Sequence, residues 1–336
     1  MTKEEIKRNS DVYVKYVMRI MSRIQKPNDE TEYIDKEGNI RCRKCHELRR
    51  KPYIINEQEI VKYAEKNNIT KEEAYQYFYH PDLKNLLCWK DCSCEKKKKY
   101  EEKKRKYEEA VRKNQDKAFG NGFRKYMNCS IETDDKSNKA VSTFIKKYVE
   151  NFDNMFVRGK GTIFYGNTGR GKTFAAAAIL HEVCKRYNPR KGDKVLYKGY
   201  ISNFSRLSQD LQSIFNSKTT TVSDWYTKIN NYDLIVIDDW GRERATPFMI
   251  DLIKNITEKR YDTEKPLILT TNLDIGNKEK FLKQIMGAIS FNVGYDNDAI
   301  KTEIERIYSR LCETCCMVYV DGVDRRIHNA STHFIY

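Results

Sequence analysis

The stretch FYGNTGRGKTFAAAA, residues 164–178, decides how the second half of this chain is read. Gly166, four residues, and then Gly171-Lys172-Thr173 spell a phosphate-binding loop. Glycines allow the tight turn that aims several backbone N–H groups into one concavity. The positive end of the helix that must follow favours an anion at the same point. Lys172 is placed to reach β- and γ-phosphates, and the Thr173 hydroxyl to hold Mg²⁺. The flanks agree with this: Thr162–Tyr165 reads as a short buried strand, and Phe174–Leu180 as an apolar, Ala-rich helix. Gly166, Asn167, Thr168, Gly169, Arg170, Gly171, Lys172 and Thr173 are therefore the candidate nucleotide-binding residues, with ATP and Mg²⁺ as the expected ligands.

Working outward, five short apolar segments predict strands: Thr162–Tyr165, Val195–Lys198, Leu234–Ile237, Leu267–Thr271 and Met317–Val320. Helical patterns separate them, for example Phe248–Arg260 and Ala299–Cys312. Such alternation predicts an α/β fold with a parallel sheet covered on both faces, and ligands at the carboxyl ends of its strands. A phosphate loop alone hydrolyses nothing; magnesium needs a carboxylate, and water needs a base. Both stand in YDLIVIDDWGRE, where Asp238-Asp239 follow the buried run Leu234–Ile237. Asp238 is the candidate Mg²⁺ ligand and Asp239 the candidate residue for positioning water. The segment PLILTTNL ends in Thr271-Asn272, which predicts a polar side chain facing the γ-phosphate.

The chain has 336 residues, a net charge of +15 and ten cysteines. That length accommodates two domains. A basic excess fits a Lys-rich surface, or contact with nucleic acid or an acidic partner. The polar start MTKEEIKRNSD and the lack of an apolar run of membrane-spanning length predict a cytoplasmic protein. Its cysteines are then expected as thiols or metal ligands.

Cys42, Cys45, Cys88, Cys92 and Cys94 cluster in the first hundred residues. Cys42-x-x-Cys45 presents two thiols on one tight knuckle, a bite suited to tetrahedral zinc. A four-thiolate site needs two of Cys88, Cys92 and Cys94, with His46 and His80 as substitutes. Cys312, Cys315 and Cys316 run into the last expected strand and read as core thiols. A charged run, Glu95–Phe119, pairs Glu101 with Arg105 and Glu102 with Lys106 at i,i+4 and predicts a solvated connecting helix. The expected organisation is a small zinc-binding region over 1–95, a charged helical linker over 96–125 and an ATPase domain over 126–336.

GNTGRGKT, LIVIDDWGRE, LILTTNL and IYSRL, in this order and spacing, resemble the AAA+ ATPases of the DnaC/DnaI type, bacterial and phage loaders of the replicative helicase. The resemblance covers about residues 130–336 and implies a P-loop AAA+ domain with a five-stranded parallel sheet. It implies Asp239 as catalytic carboxylate, with Glu243 matching the acid of the family's DDLGxE motif. Asn272 matches sensor 1, and Arg310 the arginine finger that enters a neighbouring subunit's site. Gly322–Arg326 resembles the family's GxDYR ending and implies Arg326 as the sensor-2 arginine. Trp240 stands where the family usually has Leu. Arg325 stands where it often has Tyr, which leaves the choice between Arg325 and Arg326 open. DnaI-type chains carry CxxC and then CxC before a charged helix, in a zinc-bearing region that grips the helicase. That likeness favours Cys92 and Cys94 over Cys88. Only 16 residues follow the last expected strand, so no full C-terminal lid is expected.

The function this implies is ATP-dependent loading of a hexameric DnaB-type helicase onto single-stranded DNA during replication initiation, with self-association through the ATPase domains. Lys194–Phe215 interleaves Lys198 and Arg206 with Tyr197, Tyr200 and Phe204, a pattern for single-stranded DNA contact or for a strand and helix with its aromatics in the core. Two rival readings are an IstB-like ATPase helper of transposition and a zinc adaptor with weak ATPase. The cysteine cluster weighs against the first, and the intact Lys172, Thr173, Asp238, Asp239 and Arg310 against the second.

Overall fold

The computed structural model describes residues 30–52 (38 excepted), 61–62, 64–66, 68–71, 87–89, 92–191 (121 excepted), 194–215, 219–241, 246–288, 297–322 and 324. Elements are numbered among these. The chain forms two compact units, Met1–Tyr107 and Glu108–Tyr336.

In the first unit, β1 (Glu32–Ile34) pairs antiparallel with β2 (Ile40–Cys42), and β3 (Arg50–Pro52) pairs antiparallel with β4 (Leu87–Trp89). The turn that leaves β2 is closed by the His46 N–H donating to Cys42 O at 2.9 Å. Helix α1 (Ser93–Ala118) starts directly after Cys92. Its expected Glu102–Lys106 ion pair forms at 2.7 Å, between exposed side chains.

The end of α1 belongs to the second unit, where Val111, Gln115 and Ala118 are buried. Asn114 Nδ2 donates to the carbonyls of Cys184 and Tyr197 at 2.9 and 2.8 Å, and Gln115 Nε2 to that of His181 at 3.1 Å. Next come α2 (Lys139–Glu150), α3 (Phe152–Val157), β5 (Gly161–Tyr165), α4 (Lys172–Val183), β6 (Gly199–Asn203), α5 (Phe204–Ile214) and α6 (Val222–Asn230). They are followed by β7 (Leu234–Trp240), α7 (Pro247–Asp262), β8 (Leu267–Thr271), α8 (Lys278–Ala288), α9 (Asn297–Thr314) and β9 (Cys315–Tyr319). The helices start where the sequence caps them. Asn138 caps α2, Thr221 and Asp224 form a capping box on α6, and Thr246 caps α7 ahead of Pro247; each supplies an acceptor to an otherwise orphan N–H.

The five strands form one parallel sheet in the order β6-β7-β8-β5-β9. Alternate residues bury opposite faces, as a sheet covered on both sides requires. Ile163, Ile235, Ile237 and Leu269 pack toward α5–α9. Phe164, Leu234, Val236 and Ile268 pack toward α2 and α4.

Two expected strands move. Val195–Lys198 is not a strand; it leads into β6, which begins at Gly199. A Cβ on Gly199 would meet Leu180 Cδ1 at 2.5 Å and Cys184 Sγ at 2.8 Å, so the glycine is where the sheet edge can approach α4. The last strand begins at Cys315 and ends at Tyr319, set by its pairing with β5, Gly161 opposite Cys315. Of the three thiols read as core, Cys315 is buried, while Cys312 and Cys316 are exposed. Among the described residues, no helix is long and apolar enough to cross a membrane.

Candidate functional site

The phosphate loop leaves β5 and turns through Gly166, Gly169 and Gly171, whose φ values of 131°, 80° and 96° lie where side chains are strained. The Lys172 ammonium folds over this turn and donates to the Gly166 and Asn167 carbonyls at 2.9 and 2.7 Å. It is 8% exposed, held within the loop at the N-terminus of α4.

β7 delivers the acid pair beside the loop. Asp238 Oδ1 accepts from Thr173 Oγ1 at 2.8 Å and from Thr270 Oγ1 at 2.6 Å. The Asp239 N–H donates to Thr270 Oγ1 at 2.9 Å, so one hydroxyl bridges both acids. Burial raises the Asp238 carboxyl above the usual carboxylate range, and the two threonine hydroxyls oppose that shift. Asp239 takes a left-handed φ of 60° as the β7–β8 register slips between Ile237 and Trp240. Strain of this kind costs on the order of 1–3 kcal/mol and is held only by its surroundings. Trp240 is buried against Phe281, with ring centroids 5.8 Å apart, so the indole fills core where the resembled family has Leu.

Lys172, Thr173, Asp238, Asp239 and Asn272 all line one cleft of about 660 Å³. Arg206, Phe123, Lys125 and Tyr126 line it too. Arg206 belongs to the segment that fits either single-stranded DNA contact or a core strand and helix, and the first turn of α5 carries it to this cleft. Its aromatic companions Tyr197, Tyr200 and Phe204 are buried, so the core reading of that segment holds. The wall at Phe123–Tyr126 carries no motif; its one signal is its place after the glycine break that starts the apolar half.

The Asp324 carboxylate lies against Gly169, where a Cβ would come within 2.2 Å of it. Arg325, Arg326 and Glu243 lie outside the described residues. Arg310 does not line the cleft: it donates to Glu258 Oε1 on α7 and sits 5.7 Å from the Tyr261 ring centroid.

In the first unit, the Sγ atoms of Cys42, Cys45, Cys92 and Cys94 all lie within 4.8 Å of one another. Zinc–sulfur bonds of about 2.3 Å in a tetrahedron put sulfurs about 3.8 Å apart, so this donor set fits zinc. The Cys88 side chain and His80 lie outside the described residues. His46 takes a φ of 58° and its Nδ1 is 3.0 Å from Tyr33 Oη. The Glu47 backbone N–H, first among several causes, lowers the Cys45 thiol to about 6, and the neighbouring thiols, led by Cys92, push Cys94 up to about 12. Arg49 Nη1 donates to Cys92 Sγ at 3.1 Å while its Nε donates to Glu32 Oε1 at 3.1 Å. Both Arg49 and Glu32 are buried, and sequence reading had singled out neither.

Residues 127–289 match the family of IstB-like ATP binding proteins. The chain is 26% identical over 160 residues to the replicative helicase loader DnaC of Escherichia coli K12, which covers 47% of this chain and 60% of that one. It is 23% identical over 190 residues to the replicative helicase loader DnaI of Bacillus subtilis 168, covering 55% and 52%. An insertion-sequence ATP-binding protein of Mycobacterium tuberculosis is 29% identical over 117 residues, 34% of this chain and 41% of that one. The crystal structure of the DnaC helicase loader aligns with a TM-score of 0.42 at 23% identity, over 59% of this chain and 99% of that one. The chain thus resembles DnaC/DnaI-type loaders, as its motifs imply, and spans 60% or less of the length of these relatives.

Proposed function

We propose that this protein is an ATP-dependent loader of a hexameric DnaB-type replicative helicase onto single-stranded DNA, acting in the cytoplasm during replication initiation. The observation that carries this reading is the bridge from Thr173 to Asp238 inside the cleft that Lys172, Asp239 and Asn272 also line. It sets a phosphate cradle and an acid pair face to face.

In this reading Lys172 exchanges its loop carbonyls for β- and γ-phosphate oxygens. Thr173 and Asp238 hold Mg²⁺, which when bound neutralises charge developing on the phosphates. Asp239, held by its strained backbone, orients the attacking water, and Asn272 fixes that water from the end of β8. Arg310 leaves Glu258 and enters the site of the next copy, so hydrolysis reports assembly. Arg326, matching the family's sensor-2 arginine, senses the nucleotide. Cys42, Cys45, Cys92 and Cys94 hold a zinc ion that shapes the helicase grip in the region 1–95, and the charged linker 96–125, most of it on α1, connects grip to switch. The ATPase domain, 126–336, supplies the switch.

The test is helicase capture on a single-stranded circle by the full chain. The parent should place a hexameric helicase on the circle with ATP, Lys172→Ala should not, and Cys42→Ser should lose helicase binding altogether. Capture of a transposase instead of a helicase would move the protein to the IstB-like role.

A further inference from the structure

A second cleft, of about 1030 Å³, follows the open edge of the sheet between the end of α1, the approach to β6, and helices α5 and α6. Among the described residues, Lys113, Lys117, Lys194, Lys198 and Lys228 line it, against Asp210 as the one acid. All five lysines are exposed, and among the described residues none has a carboxylate within ion-pair distance. The nearby Asp233 offers them nothing: it is buried and already accepts from Lys191 Nζ and from the Lys198 backbone N–H, each at 2.8 Å.

Five like charges facing one hollow repel one another, and a bound polyanion offsets that cost. The lysines are also preorganised. Asn114 pins the end of α1 to the Tyr197 carbonyl, which fixes Lys113 and Lys117 relative to β6. Those two stand one helical turn apart, about 6 Å along the axis, a step that matches successive phosphates of a single strand. The opposite wall carries Tyr232, half-buried and stacked on Tyr200 at 4.9 Å between centroids. Basic residues beside an aromatic face are the usual means of holding a single strand without sequence preference.

We propose that this sheet-edge cleft seats the phosphate backbone of single-stranded nucleic acid, apart from the nucleotide cleft. The inference rests on the reading that the protein handles single-stranded DNA.

The test is fluorescence anisotropy of a labelled oligo-dT with the full chain and ATP, across a salt series. The triple variant Lys117→Ala/Lys198→Ala/Lys228→Ala should lose about tenfold or more in affinity, and its log K against log salt slope should flatten by about 2, at about 0.7 per lost contact. The triple arginine variant should bind as the parent does, and binding of a fluorescent ATP analogue should not change in either. If the alanine variant keeps parental affinity and slope, the cleft is wrong while the single-strand reading stands. If the parent itself fails to bind oligo-dT, both fall. If poly-glutamate displaces the oligomer at equal charge concentration, the seat belongs to an acidic protein and the proposal is overturned.

Discussion

Thr173 donates its hydroxyl to Asp238 Oδ1 at 2.8 Å, joining the first turn of α4 to the end of β7 across 65 residues of chain. This single bond couples the phosphate loop to the acid pair, and it keeps a carboxylate that burial disfavours.

Asp238 has its carboxyl raised by burial, so the folded protein binds its proton more tightly than the unfolded chain does. That contribution to stability is complete below the unfolded carboxylate value and is lost as pH rises through the folded one. Asp238→Asn keeps the acceptor for both threonines and removes the charge. Without nucleotide it should melt above the parent at neutral pH. The gain should shrink toward zero as pH falls to about 4. Magnesium-dependent nucleotide binding should be lost. Thermal scans between pH 4 and 7 check the sign; a variant less stable than the parent at pH 7 contradicts it.

Lys172→Ala should abolish nucleotide binding, because the phosphates lose the ammonium that the loop now holds at Gly166 and Asn167. Asp239→Asn should bind ATP as tightly as the parent and hydrolyse it about 100-fold more slowly or worse, in line with the loss of a positioned base. Equilibrium binding and single-turnover hydrolysis separate the two. Normal turnover by Asp239→Asn would remove it from the water-positioning role.

Arg49 brings a cation to a cluster of four thiols, 3.1 Å from Cys92 Sγ. Fresh reduced protein should contain one zinc per chain. Cys42→Ser should lose it, and Cys88→Ser should retain it. Arg49→Lys keeps the charge but loses the fork that spans Glu32 and Cys92, and should weaken zinc retention against a chelator by about tenfold, the scale of an outer-sphere partner's loss. Metal analysis reads the first three results, and chelator competition the fourth. A metal content near zero in the parent refutes the zinc reading.

Arg310 is paired within its own chain to Glu258, away from its own cleft. ATPase activity per chain should therefore rise with protein concentration in the parent. In Arg310→Ala it should stay low and flat, with losses of about 10³-fold at high concentration if the arginine acts in trans. Parental behaviour in the variant would make Arg310 a surface partner of α7 and nothing more.

The order of strands and helices could be read from sequence because each signal is local. A buried run and an alternating glycine loop fall within a few residues, and the acid pair follows its strand directly. The same holds for Cys42-x-x-Cys45, whose bite is set by one turn. The strand at Val195–Lys198 misled because its apolar pattern precedes the place where the backbone can reach α4. That place is chosen by the packing of Gly199 on Leu180 and Cys184.

By itself, then, the sequence determined the phosphate loop, the acids at the end of β7, the asparagine after β8 and a thiol-rich first region. Each depends on neighbours in the chain, where spacing and geometry are nearly the same thing. Only the tertiary structure decided the rest. It sent Arg206 to the nucleotide cleft, placed Arg49 over Cys92, paired Arg310 with Glu258, and gathered five lysines at the sheet edge. These partners stand tens of residues apart in the chain. Their meeting is set by which faces pack and which strand takes the edge, and no local pattern carries that information.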